Sequence, residues 1–310
     1  MTSVVFGTPA SPPPAIFQPW TGFKHTWTGW DGSQWDLSDP DGGVVLLVGG
    51  LRGMSMPKFD RYTSTSPASA GSRRRGGRTR ERSIDWPILV YADESSEEWV
   101  ARDSAFWASM HPELPGLWTV TAPSGRSRSL LCTFVDDGDQ AYDVDPAEAG
   151  WALYQPKLVA EQPYWLGSPV RSPKWQLPAP RRFIAATGAP PFHIGRGSTS
   201  ASAKLRNDGD VAAWTAWAID GGSAGVDPTA LTARAGGGLL TFPPVPVGSR
   251  LVVDTDPRRQ TAYMDGVDVA GLIGWDPRPI PAKEEIPVDL TLTGPGSVQA
   301  MFTPRHFRAI

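Results

Sequence analysis

The chain has 310 residues, long for one core and comfortable for two, since domains usually run about 100–150 residues. Hydrophobic residues make up 40% of it, enough to bury a core and to exclude wholesale disorder, and a net charge of −3 gives no global pull toward nucleic acid or membrane. Its 33 glycines and 32 prolines favour short strands and turns over long helices, while 14 tryptophans supply rigid apolar area for cores or interfaces. The single Cys132 excludes an intramolecular disulfide framework and reads as a small buried hydrophobe. Met1-Thr2-Ser3 is not followed by a basic and then an apolar segment, so no signal peptide is expected. The longest apolar run, 44–48, is too short to span a bilayer, and a soluble chain made in a cytosol, with no membrane insertion, is expected.

In chain order, residues 8–19 are proline-rich and are expected to lie extended on the surface. Trp20, Phe23, Trp27, Trp30 and Trp35 follow, with Asp31-Gly32 placed for a hairpin turn. The turn Asp39-Pro40-Asp41-Gly42-Gly43 leads into a predicted buried strand at 44–48. Beyond a polar segment at 55–82, Ile84, Trp86, Ile88 and Val90 alternate and predict one strand, with Pro87 marking an edge position. Ser95 and Glu98 form an S-x-x-E capping box ahead of Trp99, Val100, Phe106, Trp107 and Met110 at helical spacing, which predicts a helix ended by His111-Pro112. Strands are predicted at 117–121, 129–134 and 151–158, with Pro123-Ser124-Gly125 as a turn. A first domain, residues 1–168, is therefore mainly β with one helix. Pro169, Pro173, Pro178 and Pro180 predict a linker after Pro163-Tyr164-Trp165. Residues 169–310 are predicted to be all β, with the alternation at 288–292 and 298–302 pointing to a sandwich.

The densest strand-and-turn pattern lies at 203–266. Asn207-Asp208-Gly209-Asp210 and Asp220-Gly221 supply turn residues that tolerate positive φ. On a strand, Trp214 and Trp217 cannot both point into one core, so at least one is expected to face a partner, a covering loop or solvent.

Catalysis requires convergent titratable groups. His25, His111, His193 and His306 are widely separated, and one cysteine excludes a thiolate zinc site within a single chain. The pairs Glu97/Glu98, Asp136/Asp137 and Glu284/Glu285 are sequence neighbours, which do not face each other on a helix or a strand. Gly236-Gly237-Gly238 and Gly71…Gly76-Gly77 lack phosphate-loop spacing, and 207–210 lacks the full calcium-loop pattern. No catalytic, cofactor-binding or metal-binding residue is assigned, and the chain is read as a non-enzyme.

The sharpest charge feature is Arg73, Arg74, Arg75, Arg78, Arg80 and Arg82, preceded by the low-complexity run 63–70. Mutual repulsion predicts a mobile loop over 55–82. Its functional reading is an arm that orders against an acidic neighbouring protein surface; nucleic acid is the second target, and a solvated linker is the plain alternative.

The order N-x-G-D-x-x-A-W-x-x-W-x-I-x-G, followed by L-x-V-D-T-D-P-R, resembles the C-terminal domain of siphophage distal tail proteins, baseplate-hub components often called minor tail proteins in phages of actinobacteria. Asn207, Gly209, Asp210, Trp214, Trp217, Gly221, Asp254, Asp256, Pro257 and Arg258 carry it. The likeness extends to 53–61, the helix at 97–110, 115–120, Pro123-Ser124-Gly125 and Pro163-Tyr164-Trp165. Thr215 departs from it where relatives commonly place proline, and the Arg-rich loop has no role in the family pattern.

The resemblance implies a mainly β chain: an N-terminal belt domain, 1–168, followed by a galectin-like β-sandwich, 169–310. It implies a structural virion protein at the tail tip, assembled in the host cytoplasm. Such a protein forms a homohexameric ring at the distal end of the tail tube, joins tube to baseplate hub and host-recognition apparatus, and continues the DNA channel. The implied partners are other copies of itself, the tail tube protein, the tape measure protein and the tail-associated hub protein. DNA is only cargo, and no cofactor is implied. The competing reading is a carbohydrate-binding β-sandwich adhesin, which predicts aromatics grouped on one exposed face; a β-sandwich hydrolase would need a pocket with two carboxylates.

Overall fold

A computed structural model describes residues 22–137, 142, 144–176, 198–222, 230–294 and 296–310. The proline-rich segment 8–19, Trp20, Pro178, Pro180 and His193 lie outside the described residues. Among the described residues the elements are strands apart from helices at Ser96–Ala108 and Pro146–Ala149 and a 3-10 turn at Ala270–Leu272. No helix among them is long and apolar enough to cross a membrane.

The first half is built on an eight-stranded and a three-stranded antiparallel sheet. Asp31-Gly32, with Gly32 at φ 85°, turns Lys24–Thr28 back against Gln34–Asp36 as the sequence predicts. Gly116–Thr121, Ser127–Asp136, Lys157–Ala160 and Arg82–Asp85 continue the larger sheet. The smaller one orders Trp151–Tyr154, Ile88–Tyr91 and Val44–Leu46. The predicted strand at 44–48 is thus shorter than expected, and Val48 is exposed.

Two other predicted strands are each split in two. The stretch 84–90 divides into Arg82–Asp85 and Ile88–Tyr91, and 151–158 into Trp151–Tyr154 and Lys157–Ala160, with the halves in different sheets. Pro87 and Pro156 stand at the breaks, and the Trp86 amide donates to the Pro156 carbonyl (3.0 Å) where the two corners meet. A proline has no amide hydrogen for a ladder, so the paired chains bend there. Pro87 therefore marks a corner between sheets, and Ile88–Tyr91 after it is the central strand of its sheet. Ile84, Trp86, Ile88 and Val90 are all buried, so the alternation runs unbroken through the corner.

Trp27, Trp86, Trp118 and Trp165 form the centre of this core in edge-to-face contacts of 5.2, 5.2 and 4.9 Å between successive rings. The helix adds Trp99 and Phe106. Ser95 Oγ accepts from the Glu98 amide (3.1 Å), the expected half of the capping box. The Glu98 carboxylate accepts from the Glu94 amide instead of the Ser95 amide, and its other oxygen binds Arg102. The helix ends at Ala108; Met110 is buried beyond it, and Val100 faces solvent.

In the second half, sheets of seven and five strands enclose one core. Trp217, Ile219, Leu251 and Val253 from one sheet meet Leu231, Ala233, Val288 and Leu290 from the other, the sandwich the alternation predicts. The described part of the predicted linker is not free chain. Val170–Arg171 and Trp175–Gln176 both pair with Ser297–Phe302, satisfying backbone groups that a linker would leave to water.

The last residues leave the sandwich. Arg305–His306 pairs with Trp165–Leu166, the Ala309 amide donates to the Met54 carbonyl (2.9 Å), and Ala309 is buried in the first core.

Candidate functional site: the motif clamp and the basic ribbon

The motif residues at 207–210 and 254–258 are far apart in the chain, yet both close on the returning C-terminal segment. Asn207 is fully buried; its Nδ2 donates to the carbonyls of Val211, Ile280 and Pro281 (3.0–3.2 Å), and its Oδ1 accepts from the Gly209 amide (2.9 Å). Gly209 has to be glycine because a Cβ would stand 2.8 Å from the Arg305 backbone. The Asp210 amide donates to the Arg305 carbonyl (2.7 Å), and the Asp210 carboxylate takes Lys283 (2.7 Å) and the Phe307 amide (3.2 Å).

From the other side, Arg305 donates to Asp256, with both side chains almost fully buried. Asp254 Oδ1 accepts from the Asp256 amide and Asp256 Oδ1 from the Arg258 amide, so the turn through Pro257 is stapled by its own carboxylates. Burial pushes the Asp256 and Asp210 carboxyls up, but Arg305 and Lys283 with the neighbouring amides outweigh it, and both stay below the ordinary carboxylate range. Burial, followed by the charge of Arg128, pushes His306 below its usual value, so it is neutral at pH 7 beside Asp210.

The remaining motif residues are structural. Trp217 is core, and its indole donates to Thr215 Oγ1 (3.1 Å), whereas Trp214 is half-buried and outside the core cluster. Thr215, where the family pattern has proline, is buried and joined to Thr255, whose hydroxyl donates to the Thr215 carbonyl (2.6 Å). Gly221 lies against the Pro246 carbonyl, which a Cβ would meet at 1.8 Å.

The Arg-rich segment is not the predicted loop. Phe59–Ser66 and Ser69–Thr79 pair with each other as an antiparallel ribbon. Repulsion is relieved locally: Asp60 takes Arg80 (2.6 Å) and Arg78 (3.5 Å), Arg75 donates to Ser64 Oγ (2.9 Å), and Arg74 sits over the Phe59 ring (5.8 Å). The Phe59 ring lies across Gly77, where a Cβ would meet it at 2.4 Å. Arg73, Arg74, Arg75, Arg78 and Arg80 are exposed. Arg82 is different: it is buried at the ribbon's base, and its guanidinium donates to the carbonyls of Gly53, Ser55, Pro163 and Phe307. Burial pushes it down to about 10, and it remains charged at neutral pH.

The catalytic candidates stay dispersed. His111 Nδ1 accepts two amides of its own turn, from Glu113 and Leu114. His25 is buried against Trp118 (5.8 Å), and burial pushes it down. Cys132 is buried and its thiol is pushed far up by burial. Glu285 pairs with Lys204 (3.0 Å) and Asp136 with Lys157 (2.9 Å). Among the described residues no group of three His, Cys, Asp or Glu could hold a metal ion.

No protein-family model and no curated protein matches the chain. Solved structures do. The Dit protein of phage SPP1, described as a paradigm of the hub adsorption apparatus in phages infecting Gram-positive bacteria, superposes with a TM-score of 0.55 at 15% identity, over 92% of this chain and 99% of that one. The chain has the Dit fold.

A chain of the phage P2 baseplate, in its activated conformation with Ca, matches with a TM-score of 0.57 at 10% identity, over 92% of this chain and 98% of that one. The same baseplate with Sr gives 0.52 at 8% identity, over 91% and 98%. Within this Dit fold, sequence reasoning missed the partners of its own motif: Arg305, Lys283 and the C-terminal strand. No local pattern signalled them: Arg258 stands two residues from Asp256, yet the side chain that Asp256 binds is Arg305, 49 residues away.

Proposed function

We propose that this chain is a structural protein of a siphophage tail tip. The observation that carries the reading is the shared fold over nearly the full length of both chains, at identities of 8–15%. Fold does not by itself dictate function, but here two β-rich units in one order match a protein of a hub adsorption apparatus and a chain of a phage baseplate.

On this reading residues 1–168 form the belt domain and 169–310 the galectin-like sandwich, with 305–310 strapping the second to the first. Six copies form a ring at the distal end of the tail tube, with tube and tape measure proteins on one side and the tail-associated hub protein on the other, and DNA passes through the lumen. The protein works by assembly and does no chemistry. Trp175 and Trp217 of the sandwich are core residues, which leaves less aromatic surface for the adhesin reading.

Native mass spectrometry at micromolar concentration, alone and with tube and hub proteins, is expected to show six copies. Cryo-electron microscopy of the intact particle is expected to place the ring beneath the tube. A chain that stays single with both partners present, or is missing from the particle, refutes the reading.

A further inference from the structure

The three-stranded sheet of the first half is apolar on both faces. Val44, Leu46, Ile88, Val90, Ala152 and Tyr154 point into the core and are buried. On the outer face Val45, Leu89 and Leu153 stand in one cross-strand row, and Tyr91 pairs with Trp151 in the next. Trp151 is 53% and Leu153 44% exposed. An antiparallel sheet that faces water alternates apolar with polar residues; one apolar on both sides is built to be covered on both.

One end of that sheet is acidic. Val44–Leu46 and Trp151–Tyr154 begin there and Ile88–Tyr91 ends there, tied by the Tyr91 amide to the Gly43 carbonyl and the Ala92 amide to the Gly150 carbonyl (both 2.9 Å). Asp41, Asp93, Glu94, Glu97, Asp145 and Glu148 lie in or beside these connections, exposed, and form no ion pair among the described residues. Arg102 reaches the same end, but it is engaged by Glu98 and the Tyr91 carbonyl.

The ribbon carries the complementary surface. Among the described residues its strands pair only with each other, and they reach about 26 Å from the base at ~3.3 Å per residue. Arg61, Arg73, Arg74, Arg75 and Arg78 stand on it, with Arg80 at its base, against the carboxylates of Asp60 and of Glu81 beside Arg80, and Phe59 and Tyr62 are about half exposed. A two-stranded ribbon alone in water is marginal. Each copy thus carries a basic, aromatic arm and an apolar face with an acidic rim, two different and complementary patches, as a head-to-tail contact requires.

We propose that the ribbon of one copy lies across the outer face of the three-stranded sheet in the next copy, its arginines on the acidic rim and Tyr62 toward Trp151 and Leu153. The inference rests on the ring reading above and gives that ring its seam.

The test mixes two full-length variants, Thr65→Cys on the ribbon and Glu97→Cys on the rim, under oxidation. A disulfide-linked pair is expected in the mixture and not in either variant alone. Adding Arg73→Glu and Arg75→Glu to the first variant is expected to cut the yield more than tenfold. Adding Asp93→Lys and Glu94→Lys to the second is expected to restore it. These positions are exposed, so circular dichroism should show every variant folded. A wild-type chain that forms a six-copy ring while the mixture fails to cross-link overturns this inference and leaves the ring standing. Failure to cross-link together with a wild-type chain that stays single overturns both. Equal cross-linking in each single variant, or a yield untouched by charge reversal, also refutes the seam.

Discussion

Arg305 donates to Asp256 across 49 residues of sequence, with side-chain exposures of 10% and 5%, and this buried pair fastens the sandwich to the segment that returns to the first core. The surrounding contacts explain why the charges are tolerated there. Asp256 also accepts from the Arg258 amide, and the Arg305 carbonyl accepts from the Asp210 amide, so neither residue is left to its ion pair alone.

Removing one partner leaves the other charge buried and alone. Asp256→Ala or Arg305→Ala should each destabilise the protein by about 3–5 kcal/mol, and the double variant should cost less than the two singles combined. Urea unfolding of the four-member cycle checks this; equal and additive losses would show the pair to be uncoupled. Deleting residues 305–310 should go further, with hydrogen exchange rising in Trp165–Leu166 and around Met54, which that segment covers.

Two arginines of one run should behave in opposite ways. Arg80→Ala breaks an exposed pair with Asp60 and should leave the unfolding midpoint unchanged within error. Arg82→Ala orphans carbonyls of Gly53, Ser55, Pro163 and Phe307 and should cost several kcal/mol, at least about 3. Arg82→Lys should recover only part, because a single ammonium cannot span the acceptors that the planar fork reaches. Thermal melts of the three variants make the comparison.

At Asn207 a change of one atom should matter more than loss of the side chain. Asn207→Asp turns a carboxylate oxygen toward three carbonyls that now receive hydrogen bonds, so its cost should exceed that of Asn207→Ala, itself about 1–3 kcal/mol. Gly209→Ala should be destabilised by a similar amount through its clash with the Arg305 backbone. Denaturant midpoints of the three variants decide the ranking; Asn207→Asp at or above wild-type stability would contradict the geometry.

The pH dependence has a defined sign. Burial lowers His25, and burial followed by Arg128 lowers His306, so both should titrate below about 6.5 in the folded chain. The unfolded chain then takes up these protons first, and stability should fall as pH drops through about 6.5 toward the folded values. Asp256 and Asp210 are depressed, so their contribution is present above about 3.9 and is lost as pH falls through their lower folded values. Histidine resonances followed by NMR, with unfolding measured from pH 8 to 3, would separate the two stages; a His306 midpoint above 6.5 would mean that Asp210 holds it charged.

Local chemistry was legible in the sequence. The cap at Ser95, the hairpin at Asp31-Gly32, the alternation of the sandwich strands and the burial of Cys132 each depend on residues within a few positions of one another, and each stands where the pattern places it. The likeness to distal tail proteins also came from turn and strand residues along the chain, and the solved structures bear it out at the level of fold. The acidic turns could be seen, but not what they hold.

Contacts that close over long separations could not be read in advance. Arg82 meets the Phe307 carbonyl across 225 residues, and no local pattern distinguishes it from the five exposed arginines before it. Alternation reports only which side of a strand is covered, so it passed unbroken through Pro87 and Pro156 while the paired chains turned from one sheet into another. Repulsion within the Arg run was real, but cross-strand partners offset it: Asp60, the Ser64 hydroxyl and the Phe59 ring become neighbours only once the ribbon has formed. Sequence determined the elements, because hydrogen bonds and turn preferences act between near neighbours. Tertiary structure alone decided which charges are buried and which surfaces stay open, because burial depends on everything that packs around a residue.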